Sequence, residues 1–236
     1  MDTHDNYNFN LLPDNAKVYL YPDGHGRVVY CEGGFGGSHA TQKRVKALED
    51  KDGGQGGQKR AKTKLRDLCR CNRFDLFFTL TLDQQRVDRY SYAEVYRKLR
   101  VWLDNRVRRR GLKYVLVAEH HKDGAIHFHG LCTDVLRRED SGHKDSRGRV
   151  VWHLPEWTLG YTTAVLLDGD YARVCSYISK YITKGSERVG GRWYYSGGDL
   201  LRPEVSDACL DPADVPETAY RFVPDGASRE YAVWSF

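Results

Sequence analysis

Two histidines spaced two apart, His127 and His129, lie in the stretch Glu119 to Leu131 (EHHKDGAIHFHGL) with an acid close behind them. Alternate residues of an extended chain share a face, so both imidazoles project together while Phe128 turns into the packing. That is the arrangement of a metal-ligand pair with a hydrophobic backstop. A hairpin must position them: Lys113 to Ala118 (KYVLVA) is strand-like, and Lys122-Asp123-Gly124 is a turn signal. Register decides the third ligand. A turn centred on Asp123 sets Glu119 opposite His127, whereas a two-residue Asp123-Gly124 turn sets His120 there instead. The first register is favoured here, and cross-strand partners lie about 5 Å apart at Cβ, near enough to share one ion. A bare His-x-His also fits the wet face of an ordinary hairpin, so the rest of the chain must carry the argument.

The 236 residues are enough for one sizeable core, or one core plus extensions. The net charge of +5 is unevenly spread: residues 43–73 carry eleven Lys/Arg against four acids, residues 86–113 ten against three, and residues 204–236 seven acids against two arginines. Two basic stretches around the histidine hairpin suggest a polyanionic partner, nucleic acid rather than membrane. No apolar run approaches the roughly 20 residues of a membrane span, and no signal pattern opens the sequence, so a cytoplasmic location is expected, with no membrane partner. The six cysteines (Cys31, Cys69, Cys71, Cys132, Cys175, Cys209) are scattered and read as reduced thiols. No glycine run is followed by the Lys-Ser/Thr of a phosphate-binding loop, which excludes an ATPase motor of that kind.

Along the chain, Lys17 to Tyr21 and Arg27 to Cys31 could form a small hairpin across Pro22-Asp23-Gly24, and Gly33 to Gly37 and Gly53 to Gly57 look like linkers. Phe74 to Leu82 (FDLFFTLTL) predicts a central strand, with Thr79 and Thr81 on one face and Phe78, Leu80 and Leu82 on the other. Ser91 to Arg110 predicts a helix with Ser91 as cap, Glu94 at the capping-box spacing, Gly111 as stop, and Val95, Leu99, Trp102 and Leu103 as its core stripe. Arg137 to Arg149 reads as a charged loop and Trp157 to Leu167 as a strand. Asp170 to Lys184 (DYARVCSYISKYITK) then has a helical apolar face of Tyr171, Val174, Cys175, Ile178 and Ile182. Tyr181 falls beside that face and Tyr177 at its rim, each with a lysine three residues later, Lys184 and Lys180.

Three segments in order, FFTLTLD (77–83), HFHGL (127–131) and YISKYITK (177–184), resemble the three motifs of the HUH endonucleases. The doubled Tyr-x-x-Lys is most similar to replication initiators of single-stranded DNA phages and related rolling-circle elements. The resemblance covers roughly residues 74–200, including the strand-like Arg192 to Ser196. It implies an α+β fold, an antiparallel sheet flanked by helices with the His-x-His on a central strand. The expected organisation is an N-terminal extension (1–68), an endonuclease domain (69–200) and an acidic tail (201–236). By resemblance His127, His129 and Glu119 match the metal ligands, Tyr177 the nucleophile, Tyr181 the second tyrosine some members use, and Lys180 and Lys184 the motif lysines. Members that unwind their own DNA carry a helicase domain that this sequence does not show, so a host helicase and polymerase are the expected partners beside a single-stranded DNA origin.

The chemistry suits these residues in their own right. A tyrosine with a pKa near 10 is a poor nucleophile at neutral pH and needs a cation nearby to favour the phenolate. Two imidazoles and a carboxylate with positions left for water and phosphate suit Mn²⁺ or Mg²⁺, and the imidazoles lean toward Mn²⁺. The expected activity is nicking and rejoining of single-stranded DNA through a 5′-phosphotyrosine. Two rival readings are a non-catalytic single-stranded nucleic-acid-binding sheet and a zinc-dependent hydrolase built on His127 and His129.

Overall fold

The computed structural model describes residues 14–35, 55–169, 171–184, 189–223 and 228–236. The described residues form an α+β fold of two antiparallel sheets and three α-helices, divided between two compact units, one from within 1–48 and 203–236, the other from within 49–202. None of the helices is long and apolar enough to cross a membrane, among the described residues.

The unit drawn from the two ends of the chain is a five-stranded sheet. Strands β1 (Ala16–Leu20) and β2 (Gly26–Cys31) make a hairpin whose turn is closed by the Tyr21 and His25 backbones and by Gly24 at φ 82°. The unit also takes in strands from the end of the chain, residues 204–208, 220–222 and 231–235, packed over Ala16, Val28, Tyr30 and Ala232. The span read as an acidic tail therefore contains paired strands. Its first strand lies at the sheet edge and is almost wholly exposed, so its acids are solvated and its composition hides the pairing.

The middle unit opens with α1 (Gln55–Cys71), whose residues Ala61, Leu65, Leu68 and Cys69 form a buried stripe. A helix thus occupies much of what reads as flexible extension, and it begins inside the Gly53 to Gly57 run. Strand β3 (Leu76–Leu82) alternates buried and half-buried residues along its length, and α2 (Tyr92–Arg110) buries Val95, Leu99, Trp102 and Leu103. The start of α2 differs from expectation: Ser91 occupies the cap position without a side-chain capping bond, and Glu94 pairs with Lys98 at 2.8 Å. Its end is as expected, with Gly111 left-handed at φ 66° and its N–H donated to Val107.

Strands β4 (Tyr114–His120) and β5 (Ile126–Cys132) form the histidine hairpin. The segment read as a charged loop forms an edge hairpin, β6 (Glu139–Lys144) with β7 (Val150–His153), polar on both faces and therefore without an alternating signature. Strand β8 (Gly160–Leu166), helix α3 (Tyr171–Lys184) and strand β9 (Tyr195–Gly197) complete the unit. The remaining strands of the end-built unit are β10 (Glu204–Ala208), β11 (Tyr220–Phe222) and β12 (Tyr231–Ser235), in the order β10-β1-β2-β12-β11.

The large sheet runs β6-β7-β8-β3-β5-β4-β9, which puts the histidine strand β5 between β3 and β4. One face of it packs Phe78, Leu80, Leu116 and Phe128 against the stripe of α2. The other packs Val115, Val117 and Leu131 against α1 and α3 through Leu65, Leu68, Cys175, Ile178 and Ile182. Each such fully buried aliphatic contributes about 1.5–3 kcal/mol, so α3 is anchored on the sheet by its packing.

Candidate metal centre and tyrosine pair

The turn between β4 and β5 is closed by hydrogen bonds between His121 and Ala125 and between Gly124 and His121, with Gly124 at φ 85° and the Asp123 carboxylate accepting the Ala125 N–H at 3.0 Å. That loop is centred on Asp123, and it pairs Glu119 with His127 and Val117 with His129. Of the two registers the sequence allows, the one that brings Glu119 to the histidines is the one formed. His120 belongs to the opposite face, and its Nδ1 lies 3.0 Å from the Gly124 carbonyl of its own turn.

On the face toward α3, the Nε2 atoms of His127 and His129 are 3.1 Å apart, and Glu119 Oε2 lies 3.0 Å from His129 Nε2 and 4.0 Å from His127 Nε2. The three side chains offer ligand atoms all within 4.8 Å of one another, and His129 is buried while the other two are half-buried. They could hold one metal ion. Behind them, Thr79 of β3, in register with His129, sets its Oγ1 3.1 Å from His129 Nδ1. When that Nδ1–H donates to the threonine oxygen, Nε2 carries a lone pair aimed at the carboxylate and the second imidazole. Lone pairs so crowded repel one another, and a bound cation relieves that repulsion, so the donor set fits a divalent ion. Gly130 follows because a Cβ there would come within 2.7 Å of both the Val115 carbonyl and the Phe78 ring.

Helix α3 lays its tyrosines over this group. The Tyr181 ring stacks on His129 with centroids 4.0 Å apart and planes at 22°, and its hydroxyl is hydrogen-bonded to that of Tyr177 at 2.7 Å. Tyr181 is only 7% exposed and Tyr177 46%, matching their places beside and at the rim of the apolar face. Burial, the bond to Tyr177 and the charge of Glu119 together push the Tyr181 hydroxyl well above the ordinary tyrosine range. Phe77, beside Thr79 on the same strand face, meets Tyr177 edge-on at 5.6 Å and lies 6.3 Å from Tyr181. Lys180 is exposed on α3, and the side chain of Lys184 lies outside the described part of the structure.

Sequence reasoning gave no part in the site to Thr79, Phe77 or His121, whose ring stands 5.7 Å from that of His127. Thr79 and Phe77 alternate with the buried residues of β3, which places them on one face, but only the β3–β5 register shows that this face is the one the histidines occupy. The basic run 86–113 is placed unlike expectation: α2 packs on the sheet face away from the histidines, and six of the ten cations (Arg86, Arg89, Lys98, Arg100, Arg106, Arg110) face carboxylates of the same chain.

No curated protein and no solved structure matches the chain. Residues 75–186, the span from β3 through the histidine hairpin to the end of the tyrosine helix, do match the model of the ORF2 family of replication-associated proteins, and that match supports a part for this protein in starting replication.

Proposed function

We propose that the protein nicks and rejoins single-stranded DNA at a replication origin, through a metal-assisted 5′-phosphotyrosine intermediate, and so starts rolling-circle replication. The observation that carries the reading is the contact between two parts found separately in the sequence: a tyrosine pair on α3 and a Glu/His/His group, joined by the stacking of Tyr181 on His129. A divalent ion held by Glu119, His127 and His129, Mn²⁺ or Mg²⁺ with the imidazoles favouring Mn²⁺, would polarise the scissile phosphate and offset charge building on its oxygens.

Tyr177 is the principal nucleophile. Its half-exposed hydroxyl is open to substrate, while Tyr181 is held under the helix against His129. Because burial and Glu119 keep the Tyr181 hydroxyl protonated, it can donate to the Tyr177 oxygen and steady negative charge there. The Tyr177 oxygen bonds to phosphorus, the bond from phosphorus to the 3′ oxygen breaks, and the departing 3′ oxygen ends as a hydroxyl with the proton the phenol gives up. That 3′-OH primes synthesis, and its attack or that of another 3′-OH on the phosphotyrosine reverses the step and reseals the strand. Tyr181 serves as the auxiliary nucleophile in a second transfer. Lys180, three residues beyond Tyr177, holds the phosphate or favours the phenolate, and Lys184 does the same for Tyr181. A host helicase and polymerase supply unwinding and synthesis.

Incubation with an assortment of single-stranded oligonucleotides and Mn²⁺ should give a denatured protein band shifted by covalent DNA, mapped to Tyr177. Tyr177→Phe should eliminate or greatly reduce that band, and Tyr181→Phe should spare first cleavage. DNA on Tyr181 in the wild type would reverse the ranking. Cleavage with no protein-linked product would point to a hydrolase, and binding without cleavage to a non-catalytic module.

A further inference from the structure

Beside the tyrosine pair the large sheet carries a groove that the proposed chemistry leaves unused. Its volume is about 800 Å³, within the roughly 300–1,000 Å³ typical of ligand sites, and all of it belongs to the middle unit. Phe77 and Val165 lie on its floor, Tyr177 forms the wall nearest the metal group, and Arg147, Arg149 and Arg173 stand along its sides. Register continues the floor outward from the histidines: His129 pairs with Thr79 and Thr79 with Thr163, while His127 pairs with Thr81 and Thr81 with Tyr161, which is 70% exposed.

We propose that this groove holds the unpaired bases of the DNA strand beside the phosphate to be cut, the reading of Tyr177 as nucleophile being assumed. Three features point to that occupant. The lining is mainly apolar and includes the aromatic face of Phe77, which suits a base and gives a phosphate nothing. Its cations stand where a backbone would pass: Arg147 and Arg173 are exposed, whereas Arg149 is fixed by Asp145 at 2.7 Å and Asp168 at 3.2 Å. A guanidinium fixed between carboxylates presents donors and acceptors together, which is what reading a base edge takes. Finally, Tyr177 is at once groove wall and attacking group, so a strand whose phosphate lies at Tyr177 has its adjacent nucleotide in the groove. A duplex, with its bases stacked and paired, cannot use this floor.

The groove is tested by binding in chelator, so that no cleavage intervenes, with fluorescent oligo-dT, a fully abasic strand of the same length, and a duplex as probes. Wild type should bind oligo-dT about tenfold or more tightly than the abasic strand, because the abasic strand has no bases to stack. Thr163→Glu, an exposed floor position, should remove that difference, and Thr163→Ser should keep it. Arg147→Glu with Arg173→Glu should weaken binding and flatten the salt dependence by about 0.7 log units per log unit of salt for each phosphate no longer neutralised. Unchanged circular dichroism and Mn²⁺ binding show that the variants are folded. Equal binding of oligo-dT and the abasic strand, or wild-type binding and salt slope in the variants, overturns the proposal. Loss of base-dependent binding with the covalent band intact leaves the Tyr177 reading standing, and the reverse result leaves the groove standing without it.

Discussion

Thr79 touches no substrate in the proposed reaction, yet it decides what His129 can do. With Oγ1 3.1 Å from Nδ1, it directs the proton to one ring nitrogen and leaves the other for a cation. Outer partners of this kind are worth about 10–100-fold in metal affinity. Thr79→Val keeps the shape of β3 and loses the oxygen, so calorimetric titration with Mn²⁺ should show affinity lower by about that factor. Thr79→Ser should restore most of it. Equal affinity for the valine and wild-type proteins would mean that the threonine merely packs. His120 is the matching control at the turn. His120→Ala should leave Mn²⁺ binding intact, and Glu119→Ala should lower it sharply, because only Glu119 shares the face of the histidines.

At the scale of elements, α1 and α3 hold one another against the sheet. Leu65 is fully buried among residues of both helices, so Leu65→Ala should destabilise the middle unit by about 2–5 kcal/mol in urea unfolding. A loss under about 1 kcal/mol would show that α1 adds little to that layer. Here the difference between what was legible and what was not has a physical cause. Strand β3, the histidine hairpin and α3 were legible because each carries its own periodicity, and the Asp123-centred turn fixes the register that selects Glu119 over His120. The stripe Ala61, Leu65, Leu68, Cys69 has helical spacing too, but the glycines before it read as a linker. The β6–β7 hairpin has polar residues on both faces, and β10 is solvated at an edge, so neither leaves a pattern in its composition. The stacking of Tyr181 on His129 joins two distant segments, and no local spacing encodes it.

Across the whole molecule the tyrosines give a measurable signature. Burial raises Tyr114 to about 12 and, with their hydrogen-bonded neighbours, pushes Tyr171, Tyr181 and Tyr195 higher still. A raised folded-state pKa means the folded protein holds those protons more tightly than the unfolded chain. The associated stability is therefore complete below the ordinary tyrosine pKa of about 10 and is lost as pH rises toward the folded values. Melting temperature should hold to about pH 10 and then fall. Ultraviolet titration of the sixteen tyrosines should show a group ionising late and together with unfolding. Ionisation of all of them near the ordinary value with the fold intact would contradict this packing.

The end-built sheet has a further consequence, in the timing of synthesis. Strand β1 pairs with β2 across a short turn, but its other neighbour is β10, with Ala16 opposite Ala208, and β2 receives β12, with Cys31 opposite Tyr231. A ribosome therefore releases a two-stranded ribbon with both edges open and translates the whole middle unit before any strand arrives to cover them. An isolated hairpin is marginal in water, so the start of the chain must wait, unfolded or shielded, for its end. A nascent chain stalled after Arg202 should have its middle unit protected from protease while residues 14–35 are still cut.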